Sequence, residues 1–310
     1  MGALKPCLEV LTDRYGRTIT DLRISITARC NFQCLYCHNE GQGPVQRLSA
    51  PADELSVDEL EQVARVAAGF GIAEIKLSGG EPLARPDCEE IVARLAGVVG
   101  VSMVTNGSLL KARAASLKAA GLGRINVSLD AMDPVVFREV RRGHIRPVLE
   151  GIHAALRVGL QPVKLNMVVF KRTIQGMPDI LEFVRQHPGL VLQLIQYMPE
   201  IAGHAERAVA MADVRRSLEE AADAIEVRAM HHRHVYHLAG ARVELVDPVG
   251  NADFCAHCQR LRVTADGHLK GCLNRRDDLV SLRHLSDDGV RDVFRRVTAE
   301  RMPFYRSAAV

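Results

Sequence analysis

The chain has 310 residues, 47% apolar and 25% charged, which is enough to bury a full enzyme core and lies within the soluble globular range. Forty lysines and arginines against 37 acids leave a net charge of +3, too small to announce a nucleic-acid or membrane surface, while a local basic pocket for a small anion stays open. The first sixteen residues scatter Lys5, Glu9, Asp13 and Arg14 among their apolar positions, and nowhere do eighteen apolar residues run together, so a cytoplasmic protein is expected.

From residue 21 onward, β-branched runs alternate with amphipathic segments. Strands are predicted over 22–27, 74–77, 101–105, 124–129, 163–170 and 191–198. Helices are predicted over 56–70, 87–98, 109–121, 148–159 and 177–187, where apolar residues recur at three-to-four spacing. This alternation makes parallel βαβ units, which close toward a barrel or an open doubly wound sheet. Cys30, the Gly79-Gly80-Glu81-Pro82 turn, Asn106-Gly107 and Asp130 each follow the C-terminal end of a predicted strand, the rim on which a βα barrel assembles its chemistry. After Met198 the rhythm breaks into a helix over 212–224, a hairpin pattern over 233–247 and a helical tail over 288–301. Residues 1–200 therefore read as a barrel core, and residues 201–310 as a substrate-side region across its mouth.

Six of the eight cysteines fall in two tight groups, which favours metal ligation over disulfides; Cys7 and Cys88 stand apart and read as ordinary thiols. Cys30, Cys34 and Cys37 occur as CNFQCLYC, a CxxxCxxC spacing on the loop after the first strand. Three thiolates can hold three corners of a 4Fe-4S cube and leave the fourth iron open. Zinc completed by His38 is the plainer alternative. Together with SGGEP at 78–82, VTNG at 104–107 and VSLD at 127–130, this spacing resembles the radical S-adenosylmethionine (SAM) superfamily. The resemblance implies a partial (β/α)6 TIM-like barrel and an open iron that chelates SAM, whose reductive cleavage yields a 5′-deoxyadenosyl radical. It further implies SAM contacts from Tyr36, Gly79, Gly80, Glu81, Ser128 and Met198.

The second group, Cys255, Cys258 and Cys272, lies within FCAHCQRLRVTADGHLKGCL, again three thiols, with His257 or His268 as a candidate fourth zinc ligand. Here the sequence is similar to the GTP 3′,8-cyclases (MoaA family), which begin molybdenum-cofactor biosynthesis. The matching stretches are LRISITARCNFQCLYC at 22–37, KLSGGEPLARPD at 76–87, GLGRINVSLDAMDPVVFREVRRG at 121–143, KLNMVV at 164–169 and CQRLRVTADGHLKGCL at 258–273. The resemblance implies a second 4Fe-4S cluster on these three cysteines that binds the substrate base, with Arg23, Lys76, Thr105, Lys164, Arg260 and Arg262 as GTP contacts. No GxxxxGK[ST] loop is present, so arginine forks and lysines must hold a triphosphate.

The implied partners are GTP or a related purine nucleotide, a flavodoxin- or ferredoxin-like electron donor and a downstream cyclic pyranopterin-forming enzyme, with room for a homodimer and none for nucleic acid or membrane. Three stretches depart from the bacterial pattern. The sequence ends Tyr305-Arg306-Ser307-Ala308-Ala309-Val310 rather than in Gly-Gly, Gln193 and Gln196 replace an Arg and a Glu, and Val104 replaces the first threonine of Thr-Thr-Asn-Gly. The residues after Cys37, His38-Asn39-Glu40-Gly41, look like archaeal-type members. These departures leave open a relative acting on another nucleotide, and, outside enzymes, a non-catalytic zinc or iron-sulfur protein. A histidine patch, His231, His232, His234 and His237, is expected partly exposed on a hairpin without a metal.

Overall fold

The computed structural model describes residues 9–41 and 54–305; Cys7 and residues 306–310 lie outside them. Six parallel strands form in chain order: β1 (Asp21–Ser25), β2 (Glu74–Ser78), β3 (Gly100–Thr105), β4 (Arg124–Ser128), β5 (Val163–Val169) and β6 (Leu190–Gln196). Crossover helices return the chain: α1 (Val57–Gly69), α2 (Cys88–Ala96), α3 (Leu110–Ala119), then α4 (Pro134–Arg141) with α5 (Ile145–Arg157), and α6 (Met177–Gln186). Local sequence starts these helices where a donor must be capped. Ser56 and Glu59 close a capping box on α1, and Asp133 accepts from the Val135 and Val136 amides ahead of Pro134 in α4. Helix α4 was not among the predicted elements.

Side-chain alternation along the strands builds the site. In β1, Leu22 and Ile24 are fully buried on one face while Asp21 and Arg23 face a cavity on the other. In β2, Ile75 and Leu77 pack outward and Lys76 and Ser78 inward; in β4, Ile125 and Val127 pack outward and Asn126 and Ser128 inward. Each aliphatic side chain buried under the helices contributes about 1.5–3 kcal/mol, so this row pins the register, and the register in turn fixes which polar side chains face one another.

The C-terminal third does not stand apart from the barrel; it extends its sheet at both edges. After the short α7 (Pro199–Ala202) and α8 (Met211–Ala221) come β7 (Ala224–Val227), β8 (His234–Leu238) and β9 (Ala241–Val246). Strand β9 pairs in parallel with β6, and β8 and β7 follow it antiparallel. A one-turn helix, α9 (Ala252–Ala256), leads to β10 (Arg260–Val263), which pairs in parallel with β1, followed by β11 (His268–Lys270) and β12 (Val280–Ser281). The last helix, α10 (Asp287–Glu300), packs on α1 through a stacked Phe70–Phe294 pair at 5.9 Å. The twelve strands thus make one curled, open sheet rather than a closed ring. Among the described residues no helix is long and apolar enough to cross a membrane.

Candidate active site

A cavity of about 610 Å³ lies inside the curl. Both cysteine groups border it: Cys30, Cys34 and Cys37 on the loop after β1, and Cys255, Cys258 and Cys272 around α9 and after β11. Residues more than 200 positions apart in the chain meet there because β10 docks on the free edge of β1. Every site residue expected from the sequence lines this cavity except Glu81.

Burial pushes the thiols of the first group up, Cys34 to about 12, and like charge between the thiols adds to the cost of ionising them together. The loop answers with donors. The Phe32 amide donates to Cys30 Sγ at 3.4 Å, and the backbone of Asn39 does the same for Cys37. The second group repeats the device, with the backbone of Asn274 serving Cys272 and the buried Arg301 donating from Nη2 to Cys258 Sγ at 2.9 Å. Around a single zinc the sulfurs of a cysteine triad sit about 3.8 Å apart. Among the described residues the one set of His, Cys and acidic ligand atoms lying within 4.8 Å of one another is His232, Asp253 and His257, so neither triad is drawn that close. Three half-buried thiols in each group at wider spacing, five of the six supported by an N–H donor, fit a multinuclear cluster better than one ion completed by His38, His257 or His268.

Gly79 and Gly80 carry the β2 turn against the cluster loop. A Cβ on Gly79 would come within 2.4 Å of Thr27 O, and one on Gly80 within 2.3 Å of Arg29 O. Gly79 also has φ +151°, which side chains rarely adopt. Glu81 is placed differently from the expectation that it contacts SAM. It is fully buried and its carboxylate accepts from Thr105 Oγ1 (2.6 Å), the Asn106 amide (2.6 Å) and the Leu83 amide (3.0 Å), tying the β2 and β3 turns together. Thr105, expected as a nucleotide contact, borders the cavity but its hydroxyl is engaged within the chain. Alternation along β3 turns Val104 toward the cavity, whereas the Thr105 hydroxyl donates to Glu81 and accepts from the Gly107 amide.

Tyr36 packs edge-on against Phe170, and its hydroxyl donates to Asp130 Oδ2 at 2.6 Å. Arg141 bridges the same carboxylate at 3.1 Å, and Asp130 Oδ1 accepts from the Val168 amide at 2.8 Å. This knot, with Asp130 and Arg141 buried and Tyr36 half-buried, orients the third-cysteine loop, and of its members the sequence expectations gave a ligand role to Tyr36 alone. Asp130 was flagged only as a strand-end residue; Arg141 lay in a helix that the periodicity did not reveal.

Charge is distributed in two lobes. In the first, register partners Arg262, Arg23 and Lys76 stand in one row across β10, β1 and β2. Glu40 accepts from Arg262 at 2.7 Å and pairs with Arg23 at 3.1 Å, while Arg260 pairs with Asp21. Burial alone would push the Glu40 carboxyl up, yet Arg23 and Arg262 hold it at about 2. In the second lobe Lys164 of β5, Arg228 and Arg233 surround the buried Glu244 of β9. Neutral amides span the floor between them: Asn126 Nδ2 donates to Asn166 Oδ1 at 3.0 Å and to Gln193 Oε1 at 3.4 Å.

Burial, followed by the fields of Arg260 and Arg23, lowers Lys76 to about 7; burial lowers Lys164 to about 8 against the pull of Glu244. Both folded-state values lie below the ordinary 10.5, so between about 7 and 10.5 the unfolded chain holds protons that the folded chain gives up. The contribution of these lysines to stability therefore rises with pH across that window. Binding of a polyanion has the opposite sign. Affinity for a nucleoside triphosphate is expected to fall as pH rises through 7 and 8, while affinity for the uncharged nucleoside stays level; equilibrium dialysis across that range checks it.

The histidine patch is divided. His234 and His237 lie on β8 as expected, but His231 is buried in the cavity wall, stacked on Phe254 at 4.0 Å, because the turn before β8 folds inward. His232 stacks on His257 outside the cavity. Cys88 is buried at the start of α2, as an ordinary thiol, with burial pushing it to about 12.

Residues 24–184 match the Radical SAM superfamily, and residues 190–304 match the family Molybdenum Cofactor Synthesis C. A Halobacterium salinarum protein named "Probable GTP 3',8-cyclase" is 45% identical over 322 residues, covering 96% of this chain and 90% of its own. A Methanocella arvoryzae protein of the same name is 46% identical over 301 residues, with 96% and 95% covered. Among solved structures, Streptococcus suis SuiB bound to its precursor peptide SuiA superposes with a TM-score of 0.68 over 91% of this chain. The chain spans only 66% of SuiB and is 14% identical to it. The structure of anSMEcpe with bound AdoMet gives 0.62 over 90% of this chain and 83% of that one, also at 14% identity, so both likenesses concern the fold. Residues, fold and relatives agree that the chain belongs to the GTP 3′,8-cyclase family of the radical SAM superfamily.

Proposed function

We propose that the protein is a GTP 3′,8-cyclase acting at the first step of molybdenum-cofactor biosynthesis. The observation that carries this reading is the pair of cysteine triads bordering one basic cavity. Cys30, Cys34 and Cys37 would hold a 4Fe-4S cluster with SAM on its open iron, and Cys255, Cys258 and Cys272 a second cluster facing the substrate base. When bound and reduced, the first cluster and SAM supply a primary carbon radical able to remove one substrate hydrogen.

The chain's own residues do the rest. Gly79 and Gly80, which border the cavity where their turn packs on the cluster loop, would receive the methionyl end of SAM, and Tyr36, Ser128 and Met198 line the space for its remainder. Phe170 and Tyr197 pack behind Tyr36 and keep water from that side of the cavity. The basic lobes neutralise the nucleotide, and the amide floor of Asn126, Asn166 and Gln193 presents uncharged hydrogen-bonding groups between them. A nucleotide held with its base toward Cys258 and Arg260 lays its ribose across that floor. Loss of the C3′ hydrogen there, bond formation from C3′ to C8, and uptake of one further electron and a proton give the 3′,8-cyclic dihydro nucleotide.

In this reading residues 1–200 generate the radical and residues 201–310 present the substrate. A flavodoxin- or ferredoxin-like donor supplies electrons in the cytoplasm, and a cyclic pyranopterin-forming enzyme consumes the product. Anaerobic incubation with SAM, a reductant and 3′-deuterated GTP is expected to give deuterated 5′-deoxyadenosine and the cyclic product in equal amounts. Absence of both from protein carrying about eight irons per chain would remove the assignment. Deuterium transfer from another purine nucleotide but not from GTP would move the substrate while keeping the chemistry.

A further inference from the structure

We infer that Arg228 and Arg233, gathered with Lys164 around the buried carboxylate of Glu244, form the pocket that takes the polyphosphate end of the substrate. The inference rests on the nucleotide reading above and deepens it, because it adds to the substrate contacts two arginines that no sequence motif marks.

Glu244 sits in the middle of β9, opposite Gln193 of β6 and Val235 of β8, and is wholly buried. Lys164 pairs with its Oε2; Arg233 Nη1 lies 3.0 Å and Arg228 Nε 3.3 Å from its Oε1. One carboxylate among three cations leaves two positive charges at the cavity wall. The attraction is not a directed one, since Glu244 Oε1 accepts no properly aimed hydrogen bond although two guanidinium groups stand within 3.3 Å of it. The carboxylate gathers the arginines by charge and leaves N–H directions of their forks for another acceptor. Both arginines line the cavity, Arg233 at 14% side-chain exposure and Arg228 at 42%. The Arg228 amide donates to the Arg233 carbonyl at 2.9 Å, closing the turn that holds the two on one side.

The first lobe is built differently. There two carboxylates, Asp21 and Glu40, face the cations and accept directed hydrogen bonds from Arg260 and Arg262. It also abuts the second cysteine triad, since Arg260 and Arg262 follow Cys258 directly in the chain. Each lobe has two more cations than carboxylates, but in the first the Arg260 and Arg262 guanidinium groups already donate directed hydrogen bonds to carboxylates, and that lobe borders the place where a base would meet a metal. A polyphosphate, carrying several negative charges and many acceptor oxygens, belongs in the lobe with one carboxylate and unfilled guanidinium forks.

The test uses the anaerobically reconstituted full chain with GTP, guanosine and inorganic tripolyphosphate as probes, affinities being read by equilibrium dialysis. Wild type is expected to bind tripolyphosphate in competition with GTP. Arg228→Gln should weaken both by roughly tenfold and Arg233→Gln by roughly a hundredfold, the range of one or two charge-assisted hydrogen bonds, with guanosine affinity within about twofold. Should Arg233→Gln not fold because Glu244 loses its nearest guanidinium, Arg233→Lys, which keeps the charge but not the fork, and the half-exposed Arg228→Gln carry the test. Unchanged tripolyphosphate and GTP affinity in these variants, or an equal loss for guanosine, overturns the pocket. Tripolyphosphate binding that depends on these arginines, without GTP binding, sinks the substrate reading and leaves the pocket standing. If wild type binds neither, both fall.

Discussion

Cys34→Ala protein is expected to produce no 5′-deoxyadenosine above background, whereas Cys258→Ala protein should still cleave SAM yet form no cyclic nucleotide. Each variant should retain about four of about eight irons. The asymmetry follows from position. Cys34 lies on the loop after β1, beside the Gly79–Gly80 turn and in contact with the Arg141 carbonyl. Cys258 lies on the approach to β10, its sulfur held by Arg301, next to the Arg260–Arg262 row. Iron analysis with separate chromatography of deoxyadenosine and nucleotide products distinguishes the two. Loss of SAM cleavage in both variants would mean that the two triads do not have separate tasks.

Asp130→Asn is expected to destabilise the unloaded protein by about 3–5 kcal/mol, because it leaves the Arg141 guanidinium buried without its counter-charge. Asp130 and Arg141 are both buried, and the carboxylate also holds the Tyr36 hydroxyl and the Val168 amide. Arg141 further lies over the Phe32 ring at 5.6 Å, so it cannot swing to solvent without opening the core next to the first cysteine loop. Removing both charges in Asp130→Asn/Arg141→Gln should cost less than the sum of the two single changes, since no orphaned ion remains. Urea unfolding of the four proteins measures that coupling. A single Asp130→Asn loss within about 1 kcal/mol would show that water or another group reaches Arg141.

The six barrel strands and their order of appearance were legible because each carries an aliphatic row at alternate positions: Leu22 and Ile24, Ile75 and Leu77, Ile125 and Val127. The helices with three-to-four spacing were legible for the same reason, and their ends moved by a few residues. Helix α4 was missed although its signals are present, with Asp133 as cap, Pro134 at the first position and Phe137 and Val140 buried; at eight residues it offers barely two turns of periodicity. Strands β10 to β12, of four, three and two residues, are too short for alternation to be counted. Arg233, Arg228 and Glu244 carried no motif at all, and nothing local distinguishes them from solvated charges.

The cysteine spacings, the Gly79–Gly80 turn and the strand-end polar residues were determined by the sequence itself, because a loop of eight residues or a two-residue turn has its geometry written in adjacent covalent units. Which cations share which carboxylate was decided only when β9 docked on β6 and β10 on β1, at the two edges of the sheet. Those pairings join segments from about 50 to 240 positions apart, set by the packing of aliphatic rows over the whole barrel. A one-residue slip in either would turn Glu244 or Arg262 away from the cavity while leaving every local motif intact.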